Sequence, residues 1–251
     1  MSFFISPKVF RHLILALFVL STFPLHAADS PDAIVAKADA VRAPKGSHEF
    51  EAVITSYEND AKKSENGYKV YVQDLDHSLV EFKSPASEKG KSLLMVEEDL
   101  WIYLPQVKKP VRIPLQQRLV GDVSNGDMAR ANFAQDYQAT LAGEEKIDGQ
   151  DAYVLDLVAK SPNKTYNKIK YWVAKQGDRP LKAEYYTISG KALKTCTFED
   201  FRAENGTTRP MRLVFQDSMN AKKKSVLVFK SIQKKPLDQA MFTKDYMKTL
   251  E

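Results

Sequence analysis

The sequence predicts a mainly β fold, built as one large antiparallel sheet that is curled or closed into a barrel. From Phe50 onward, apolar and polar residues alternate with the period of a β-strand in one short run after another. Turn-forming pairs such as Asn66-Gly67, Ser189-Gly190 and Asn205-Gly206 separate these runs. About a dozen short strands at this spacing are typical of an all-β sandwich or barrel.

The beginning of the chain predicts a secretory signal peptide. Lys8 and Arg11 form a short basic region, and the apolar run from Leu13 to Leu20 follows before small residues lead to Ala28. This run is far shorter than the roughly 20 residues that span a bilayer. We therefore expect residues 1–27 to be cleaved on export and residues 28–251 to form a single domain. The alternative is an uncleaved membrane anchor.

Helical signals stand at both ends of the mature chain. Ser30 can cap a helix whose first turn carries Pro31, and Pro44 and Gly46 can end it. The tail from Pro236 to Leu250 predicts a short helical closure that packs on the sheet. After the first hairpin, the predicted strands are Ser78–Lys83, Ser92–Val96, Leu100–Leu104, Val111–Ile113, Tyr137–Ala142, Ala152–Val158, Ile169–Ala174, Ala183–Ile188, Leu193–Phe198, Met211–Phe215 and Val226–Ser231.

One long interruption stands within the strand pattern, over residues 115–136. Its centre is rich in turn-forming residues, and Met128 to Phe133 predicts a short helix capped by Ser124 or Asn125. Long insertions between strands are often functional. We therefore expect Gly121 to Phe133 to form a movable lid. The central lid residues are Gly121, Asp122, Ser124 and Asp127.

Residues that usually carry catalysis or bind metals are scarce in the mature chain. His48 and His77 are its only histidines, and neither lies in a metal-binding spacing. Cys196 is its only cysteine, which excludes an internal disulfide and a cysteine-rich zinc site. The sequence contains no nucleophile elbow, P-loop or dinucleotide-binding glycine motif. It therefore predicts a protein that is not an enzyme, with no catalytic residues, no metal site and no cofactor.

The charge balance is mild and predicts no nucleic-acid partner. Removing residues 1–27 takes away Lys8 and Arg11 but no acid, so the net charge falls from +5 to +3. Nucleic-acid binding usually requires a concentrated basic face. Lysine runs in such a chain are usually solvated turns, with docking on an anionic membrane or on an acidic transporter surface as the alternative.

The aromatic strand within residues 98–127 is apolar on both of its faces. Trp101 and Tyr103 share one face, while Leu100, Ile102 and Leu104 share the other. The same pattern recurs at Leu93-Leu94-Met95-Val96 and at Tyr171-Trp172-Val173. A strand that is apolar on both sides is covered on both sides. One cover is the ordinary core, and the other is a helix, a partner or a ligand.

Several segments together resemble one known family. They are the signal peptide with its following helix, G-K-S-L-L-M-V from Gly90 to Val96, D-L-W-I-Y-L-P from Asp99 to Pro105, Arg112-Ile113, and G-D-x-S-x-x-D from Gly121 to Asp127. This combination is similar to the outer-membrane lipoprotein-sorting protein family of periplasmic carriers. The resemblance is to its LolA-like branch and not to LolA proper, and it covers most of the mature chain.

The resemblance implies an unclosed, strongly curved antiparallel barrel of about eleven strands, with helices on its concave side. It also implies a periplasmic carrier that binds lipid or lipoprotein acyl chains in a hydrophobic cavity and moves them between the envelope membranes. Its partners would include an inner-membrane transporter, with RND-type lipid exporters as one class, and a transient membrane contact. The residues expected to line the cavity are Met95, Trp101, Tyr103, Leu104, Met128, Phe133, Tyr171 and Trp172.

Three basic residues beside the aromatic strand are candidates for docking. Lys108, Lys109 and Arg112 are expected to contact a membrane or a partner protein near the cavity mouth. The alternative to a carrier is a non-transporting envelope protein with a binding or structural role, or a periplasmic accessory factor of a transporter. A partly empty apolar interior favours the carrier, whereas a filled core favours these alternatives.

Overall fold

A computed structural model describes residues 1–2, 29–130, 132–204 and 206–250 of the chain. The signal peptide predicted at residues 1–27 lies outside this part apart from its first two residues, so it stays a prediction. Among the described residues, no helix is both long enough and apolar enough to cross a bilayer.

Strands dominate the structure, and every predicted strand run lies within an observed strand or overlaps one. The strands of the described part are β1 (His48–Glu58), β2 (Ala61–Val72), β3 (His77–Ser84), β4 (Ser92–Val96), β5 (Asp99–Tyr103), β6 (Pro110–Ile113), β7 (Arg118–Val120), β8 (Val123–Ser124), β9 (Tyr137–Ile147), β10 (Gln150–Ala159), β11 (Lys168–Ala174), β12 (Pro180–Tyr186), β13 (Ala192–Glu204), β14 (Thr207–Asp217) and β15 (Lys223–Lys234).

Thirteen of these strands form one antiparallel sheet whose two edges do not pair with each other. Within the described residues the order is β6-β5-β4-β3-β2-β1-β15-β14-β13-β12-β11-β10-β9, and β7 and β8 form a separate hairpin. Strand β1 pairs with β15 from His48 beside Lys234 to Glu58 beside Lys223, so the first and the last strand along the described chain are neighbours in the sheet. The predicted open, curved antiparallel sheet is confirmed, with thirteen strands where about eleven were expected.

Four short α-helices and two 3-10 turns complete the described part. They are α1 (Pro31–Arg42), α2 (Asn125–Ala129), α3 (Phe133–Asp136), α4 (Lys244–Met247) and the 3-10 turns Ala86–Glu88 and Gln239–Phe242. Helix α1 begins where the sequence predicts, because the Ser30 hydroxyl accepts a hydrogen bond from the N–H of Ala33 at 3.2 Å and Pro31 fills the first turn.

Helices α1, α2 and α3 lie on the concave side of the sheet. Helix α1 contacts β9, β11, β12 and β14, while α2 contacts β3 and β4 from the other half of the sheet. The apolar face of α1, formed by Ile34, Val35 and Ala38, joins the main core cluster. Burial of this face holds a helix that is too short to be stable alone.

Strands β4 and β5 are covered on both faces by the protein itself. Leu93 and Met95 join the main core on the concave side, whereas Leu94 and Tyr103 join a second cluster on the convex side. The C-terminal segment closes that second cluster with Phe242. The C-terminal segment, which the sequence predicts as a short helical closure, therefore covers the second face of the aromatic strand β5.

The predicted hairpin turn at Asn66-Gly67 is wrong. Both residues lie inside β2, and the chain reverses at Asn59 and Asp60, which adopt φ values of 52° and 60°. Two consecutive positive φ angles suit the tight turns that join twisted antiparallel strands. Packing favours glycine at position 67, because a Cβ there would lie 2.6 Å from the Ser84 hydroxyl oxygen.

Candidate functional site

An internal cavity of about 840 Å³ lies between the sheet and the helices on its concave side. Its floor comes from the middle of the sheet, chiefly β12 to β15 and β1, and its roof comes from α1, α2 and α3. Ligand pockets typically measure about 300–1,000 Å³. The interior is therefore large enough for a small ligand and is not filled by the side chains of the described residues.

Apolar and aromatic side chains dominate the floor of this cavity. They alternate along the central strands, so one face of each strand supplies them. The floor residues are Phe50, Phe198, Leu213, Phe215, Leu227, Phe229 and Ile232. Such a surface offers burial to an apolar ligand but few directional bonds.

Exposed residues mark where the cavity opens to solvent. Lys45 lies in the link between α1 and β1, Leu75 lies in the turn between β2 and β3, and Gln135 lies on α3. The side chain of Leu75 keeps 61% of its surface exposed, which is unusual for a large aliphatic residue. The mouth therefore lies between α1, α3 and the β2–β3 turn.

Three polar groups of the wall come from α1 and from the start of β1. The Asp39 carboxylate accepts a hydrogen bond from the N–H of Ala134 at 2.8 Å, which attaches α3 to α1. The Arg42 guanidinium lies 4.0 Å from the centre of the Phe133 ring and 3.6 Å from Asp39. Burial raises the pKa of Asp39, and burial lowers the pKa of His48.

The interruption predicted from the sequence forms a plug over the cavity. We call residues 115–130 and 132–136 the plug segment. Its Asp127 carboxylate accepts hydrogen bonds from the Lys194 ammonium of β13 at 2.5 Å, from the Tyr166 hydroxyl at 2.8 Å and from the Ser124 N–H at 2.8 Å. The Asp127 and Lys194 side chains are 8% and 6% exposed, so this ion pair is buried.

Close backbone contacts fix the same part of the plug segment. A Cβ at Gly121 would lie 2.2 Å from the Ser225 hydroxyl oxygen, and the φ of Gly121 is +54°. A Cβ at Gly126 would lie 2.0 Å from the Thr165 hydroxyl oxygen. The Ser225 hydroxyl also accepts a hydrogen bond from the N–H of Asp122 at 2.8 Å. Only glycine allows the plug to approach the sheet this closely at these positions.

A second set of buried charges attaches the plug segment to both margins of the open sheet. The Arg130 guanidinium donates to the Asp136 carboxylate at 2.6 and 2.7 Å and to the Glu97 carbonyl oxygen, in the β4–β5 turn, at 2.8 Å. Lys164 of the β10–β11 loop lies 3.0 Å from Asp136 and 2.6 Å from Glu98. These contacts join turns from opposite halves of the sheet.

The structure brings only part of the predicted cavity set together. Met128 and Phe133 line the cavity. Met95 and Tyr171 belong to the core on the concave side but do not line the cavity of the described residues. The Tyr171 ring packs behind Phe133, with 5.3 Å between the ring centres.

The remaining predicted cavity residues lie away from the cavity. Trp101 and Tyr103 point to the convex side under the C-terminal segment, because they alternate with Leu100 and Ile102, which face the core. Trp172 lies in a convex cluster for the same reason, and its indole N–H donates to Glu145 at 2.9 Å. Leu104 follows β5 and is half-buried, and it does not line the cavity of the described residues.

The residues proposed for docking lie at one edge of the sheet. Lys108 and Lys109 are exposed in the turn before β6, the edge strand. Arg112 lies within β6 and forms an ion pair with Asp99 of the neighbouring strand. None of the three lines the cavity of the described residues.

Sequence reasoning missed the floor of the cavity and its α1 wall. Phe198, Phe215 and Phe229 lie in runs that the sequence identified as strands, and alternation places them on one face. Their aromatic content was a usable signal. The polar pair Asp39 and Arg42 falls on the α1 turn nearest the plug, and its spacing of three residues was visible in the sequence.

Solved structures of several proteins are similar to this chain. A LolA superfamily protein from Nitrosomonas europaea is 39% identical over 87% of this chain and 100% of its own, with a TM-score of 0.83. A putative outer membrane lipoprotein-sorting protein domain from Vibrio parahaemolyticus is 22% identical over 87% of this chain and 98% of its own, with a TM-score of 0.75.

A DUF1329 family protein from Desulfovibrio piger is also 22% identical, over 87% of this chain and 100% of its own, with a TM-score of 0.75. The similarity to the Vibrio parahaemolyticus and Desulfovibrio piger proteins concerns the fold alone. A family model described as "Uncharacterized protein" matches residues 74–249. No curated protein sequence is significantly similar to the chain. The open curved sheet, the helices on its concave side and the 39% identity over nearly the whole fold lead to one conclusion: the chain belongs to the LolA superfamily.

Proposed function

We propose that the protein is a periplasmic carrier that holds the acyl chain of a lipid or a lipoprotein in the concave cavity. The observation that carries this proposal is the cavity of about 840 Å³ with its floor of aromatic and aliphatic side chains. The Vibrio parahaemolyticus protein that shares this fold is described as a putative outer membrane lipoprotein-sorting protein domain, and the proposed ligand belongs to the same class.

The energetics of acyl chains support a carrier. Each methylene group gains about 0.8 kcal/mol when it leaves water, so a long chain does not cross an aqueous gap unaided. A cavity with apolar walls removes much of that cost, and a flexible side chain such as Met128 adapts to chains of different length. The polar groups at Asp39 and Arg42 lie on one wall and leave the floor apolar.

We further propose how the protein reaches the periplasm and what it contacts there. The protein enters the periplasm through cleavage of residues 1–27 and works as one domain of residues 28–251. It receives or delivers its ligand at an inner-membrane transporter, with RND-type lipid exporters as one class, and touches a membrane transiently. The exposed Lys108 and Lys109 beside the edge strand suit contact with an anionic surface.

We also propose that the predicted lid, centred on Gly121, Asp122, Ser124 and Asp127, controls access to the cavity. The contacts of Asp127 with Lys194 and Tyr166 support a closed position that is held by directional bonds. Opening then requires that these bonds break together, which makes exit of the ligand slow until a partner assists.

A matched pair of tryptophan variants in α1 tests the carrier proposal. Ala40 lines the cavity, whereas Ala33 of the same helix does not. Ala40→Trp is expected to fill part of the cavity and reduce lipid binding about tenfold or more, while Ala33→Trp has the same cost in helix propensity and retains binding. Lipid that copurifies from the periplasm is measured by native mass spectrometry. Wild-type protein that is repeatedly free of lipid contradicts the proposal.

A further inference from the structure

A second, polar cavity of about 460 Å³ adjoins the apolar one. All of its lining residues are polar or charged, and Arg130 and Gln135 line both cavities. The apolar floor and the polar pocket therefore meet across the plug segment. An apolar cavity that meets a polar pocket matches an amphiphile, with its chain in one and its head group in the other.

Two of the charged residues in the polar pocket are already engaged by several acceptors. Arg130 donates to Asp136, to the Glu97 carbonyl oxygen and to Asp76. Lys164 lies 2.6 Å from Glu98 and 3.0 Å from Asp136. These groups form the wall of the pocket and have little capacity left for a ligand.

One side of the pocket retains hydrogen-bond donors. The Lys160 ammonium donates to the Ala134 carbonyl oxygen at 3.0 Å, which uses one of its three N–H groups. The Ser161 hydroxyl oxygen is buried and has no hydrogen-bond partner among the described residues. A buried hydroxyl without a partner is costly, so a ligand that supplies an acceptor stabilises this position.

The other side of the pocket retains acceptors. Within the described part of the chain, the Glu97 side chain has no hydrogen-bond or ion-pair partner, and it is exposed to the pocket. The Asp76 carboxylate is 40% exposed, and its Oδ1 accepts from Arg130 and from the Gln135 amide at 3.3 Å each, so its Oδ2 is the oxygen that can accept from a ligand. These carboxylates can accept hydrogen bonds from an ammonium group.

The charges of the lining residues balance. Arg130, Lys160 and Lys164 face Asp76, Glu97 and Glu98 across the pocket. A head group with a net negative charge would meet as many acids as bases, and a head group without charge would leave both free sides unused. A zwitterionic head group satisfies the donor side with its anion and the acceptor side with its cation.

We propose that the polar pocket receives the phosphate and the primary ammonium of a zwitterionic phospholipid whose acyl chain occupies the apolar cavity. Lys160 and Ser161 bind the phosphate oxygens, and Glu97 with Asp76 binds the ammonium. This inference rests on the proposed carrier function and names the class of lipid that the same site selects. Selection arises because only this head group pairs every free polar group of the pocket.

The experiment compares three lipids with identical oleoyl chains, each offered alone in nonionic detergent micelles. They are dioleoyl phosphatidylethanolamine, dioleoyl phosphatidylglycerol and dioleoylglycerol, and native mass spectrometry measures the bound fraction. Phosphatidylethanolamine is expected to bind about tenfold more tightly than the other two, which corresponds to about 1.4 kcal/mol. The variants Glu97→Gln and Lys160→Gln are each expected to abolish this preference, while the exposed control Lys191→Gln keeps it.

The outcomes separate this inference from the carrier proposal. If wild-type protein binds none of the three lipids, the carrier proposal fails and this inference fails with it. If all three bind equally, or if phosphatidylglycerol binds best, the carrier proposal stands and the head-group site is overturned. A preference for phosphatidylethanolamine that survives both pocket variants also overturns it. Loss of the preference in both variants, with overall binding of dioleoylglycerol unchanged, supports it.

Discussion

Replacing Asp127 by asparagine is expected to weaken the attachment of the plug segment to the sheet. The carboxylate is the shared acceptor of the Lys194 ammonium at 2.5 Å, the Tyr166 hydroxyl at 2.8 Å and the Ser124 N–H at 2.8 Å. The asparagine amide is neutral, so the variant leaves the Lys194 charge buried without its counter-ion. Buried charges without partners are among the few changes that destabilise a protein strongly.

The expected loss of stability in Asp127→Asn follows from the contacts that the variant retains. Removal of one partner from a buried ion pair costs about 3–5 kcal/mol. An amide oxygen in the position of Oδ2 still accepts from the Tyr166 hydroxyl at 2.9 Å and from the Ser124 N–H at 2.8 Å, and Lys194 keeps its hydrogen bond to the Asp122 carbonyl oxygen at 2.5 Å. We therefore expect about 3 kcal/mol, at the lower end of the range. For a domain of this size that is a fall in the melting temperature of roughly 6–12 °C.

A double-mutant cycle isolates the pair from the rest of the site. Lys194→Met removes the other charge and keeps an unbranched chain, and the double variant removes both charges at once. We expect the double variant to be less destabilised than the sum of the single variants by about 2 kcal/mol. Urea unfolding, followed by circular dichroism with unchanged slopes, gives these free energies. Single-variant losses that add to within about 0.5 kcal/mol would refute the buried pair as an energetic unit.

Three other changes test separate parts of the same site. Gly121→Ala is expected to cost about 2–4 kcal/mol of stability, because its Cβ would lie 2.2 Å from a serine hydroxyl oxygen and the φ of Gly121 is +54°. Gly190→Ala is the control, because a Cβ there has open space at a φ of +78° and costs only about 1–2 kcal/mol of backbone strain. Equal losses of stability in thermal unfolding would contradict the packing argument. Because burial lowers the pKa of His48, the unfolded chain takes up a proton there first as the pH falls below about 6.5, so folding stability should decrease on acidification and decrease less in His48→Gln. Parallel urea titrations in which both proteins lose the same stability between neutral and mildly acidic pH would count against this. Arg130→Lys keeps the charge but loses the bidentate contact with the Asp136 carboxylate, so we expect the free energy of unfolding to fall by about 2 kcal/mol in chemical denaturation. An unchanged free energy of unfolding would contradict this.

Local signals in the sequence predicted the parts of the fold that short-range bonds determine. Helix α1 begins at Pro31 because Ser30 caps it, and both residues are adjacent in the sequence. The capping box at Ser124 and Asp127 likewise begins α2, but this helix covers Asn125–Ala129 and does not run on to Phe133 as the sequence predicted. The large antiparallel sheet followed from the alternation of apolar and polar residues, whereas its open form followed from the family resemblance.

The same alternation could not predict which face of a strand would line the cavity. Trp101 and Tyr103 were separated correctly from Leu100 and Ile102, but the direction of sheet curvature decides which pair faces inward. That direction depends on contacts between strands far apart in the sequence, such as β1 with β15. The aromatic floor at Phe198, in a strand that looked ordinary, was missed for the same reason.

A local turn signal also failed where a longer register outweighed it. Asn66-Gly67 has the composition of a tight turn, but β1 and β2 pair continuously on both sides of it, with Val53 opposite Gly67. With the turn at Asn59-Asp60, all eleven residues of β1 pair with β2, with one register shift between Ser56 and Tyr57. The loss of one favourable turn pair is small beside that pairing.

The buried charges of the plug segment and the apolar cavity have different tasks in this site. Apolar contacts are non-directional, so they bind a flexible chain but do not fix the plug in one place. Hydrogen bonds to the Asp127 carboxylate are directional and hold the plug segment in one position, which is the closed position under the proposed lid function. A variant that lacks both Asp127 and Lys194 charges should therefore regain much of its stability but not its retention of lipid. We expect release of bound lipid to acceptor vesicles to remain faster than in wild type in the double variant, by about as much as in Asp127→Asn. Release that returns to the wild-type rate together with stability would show that the pair acts only through folding and does not position a lid.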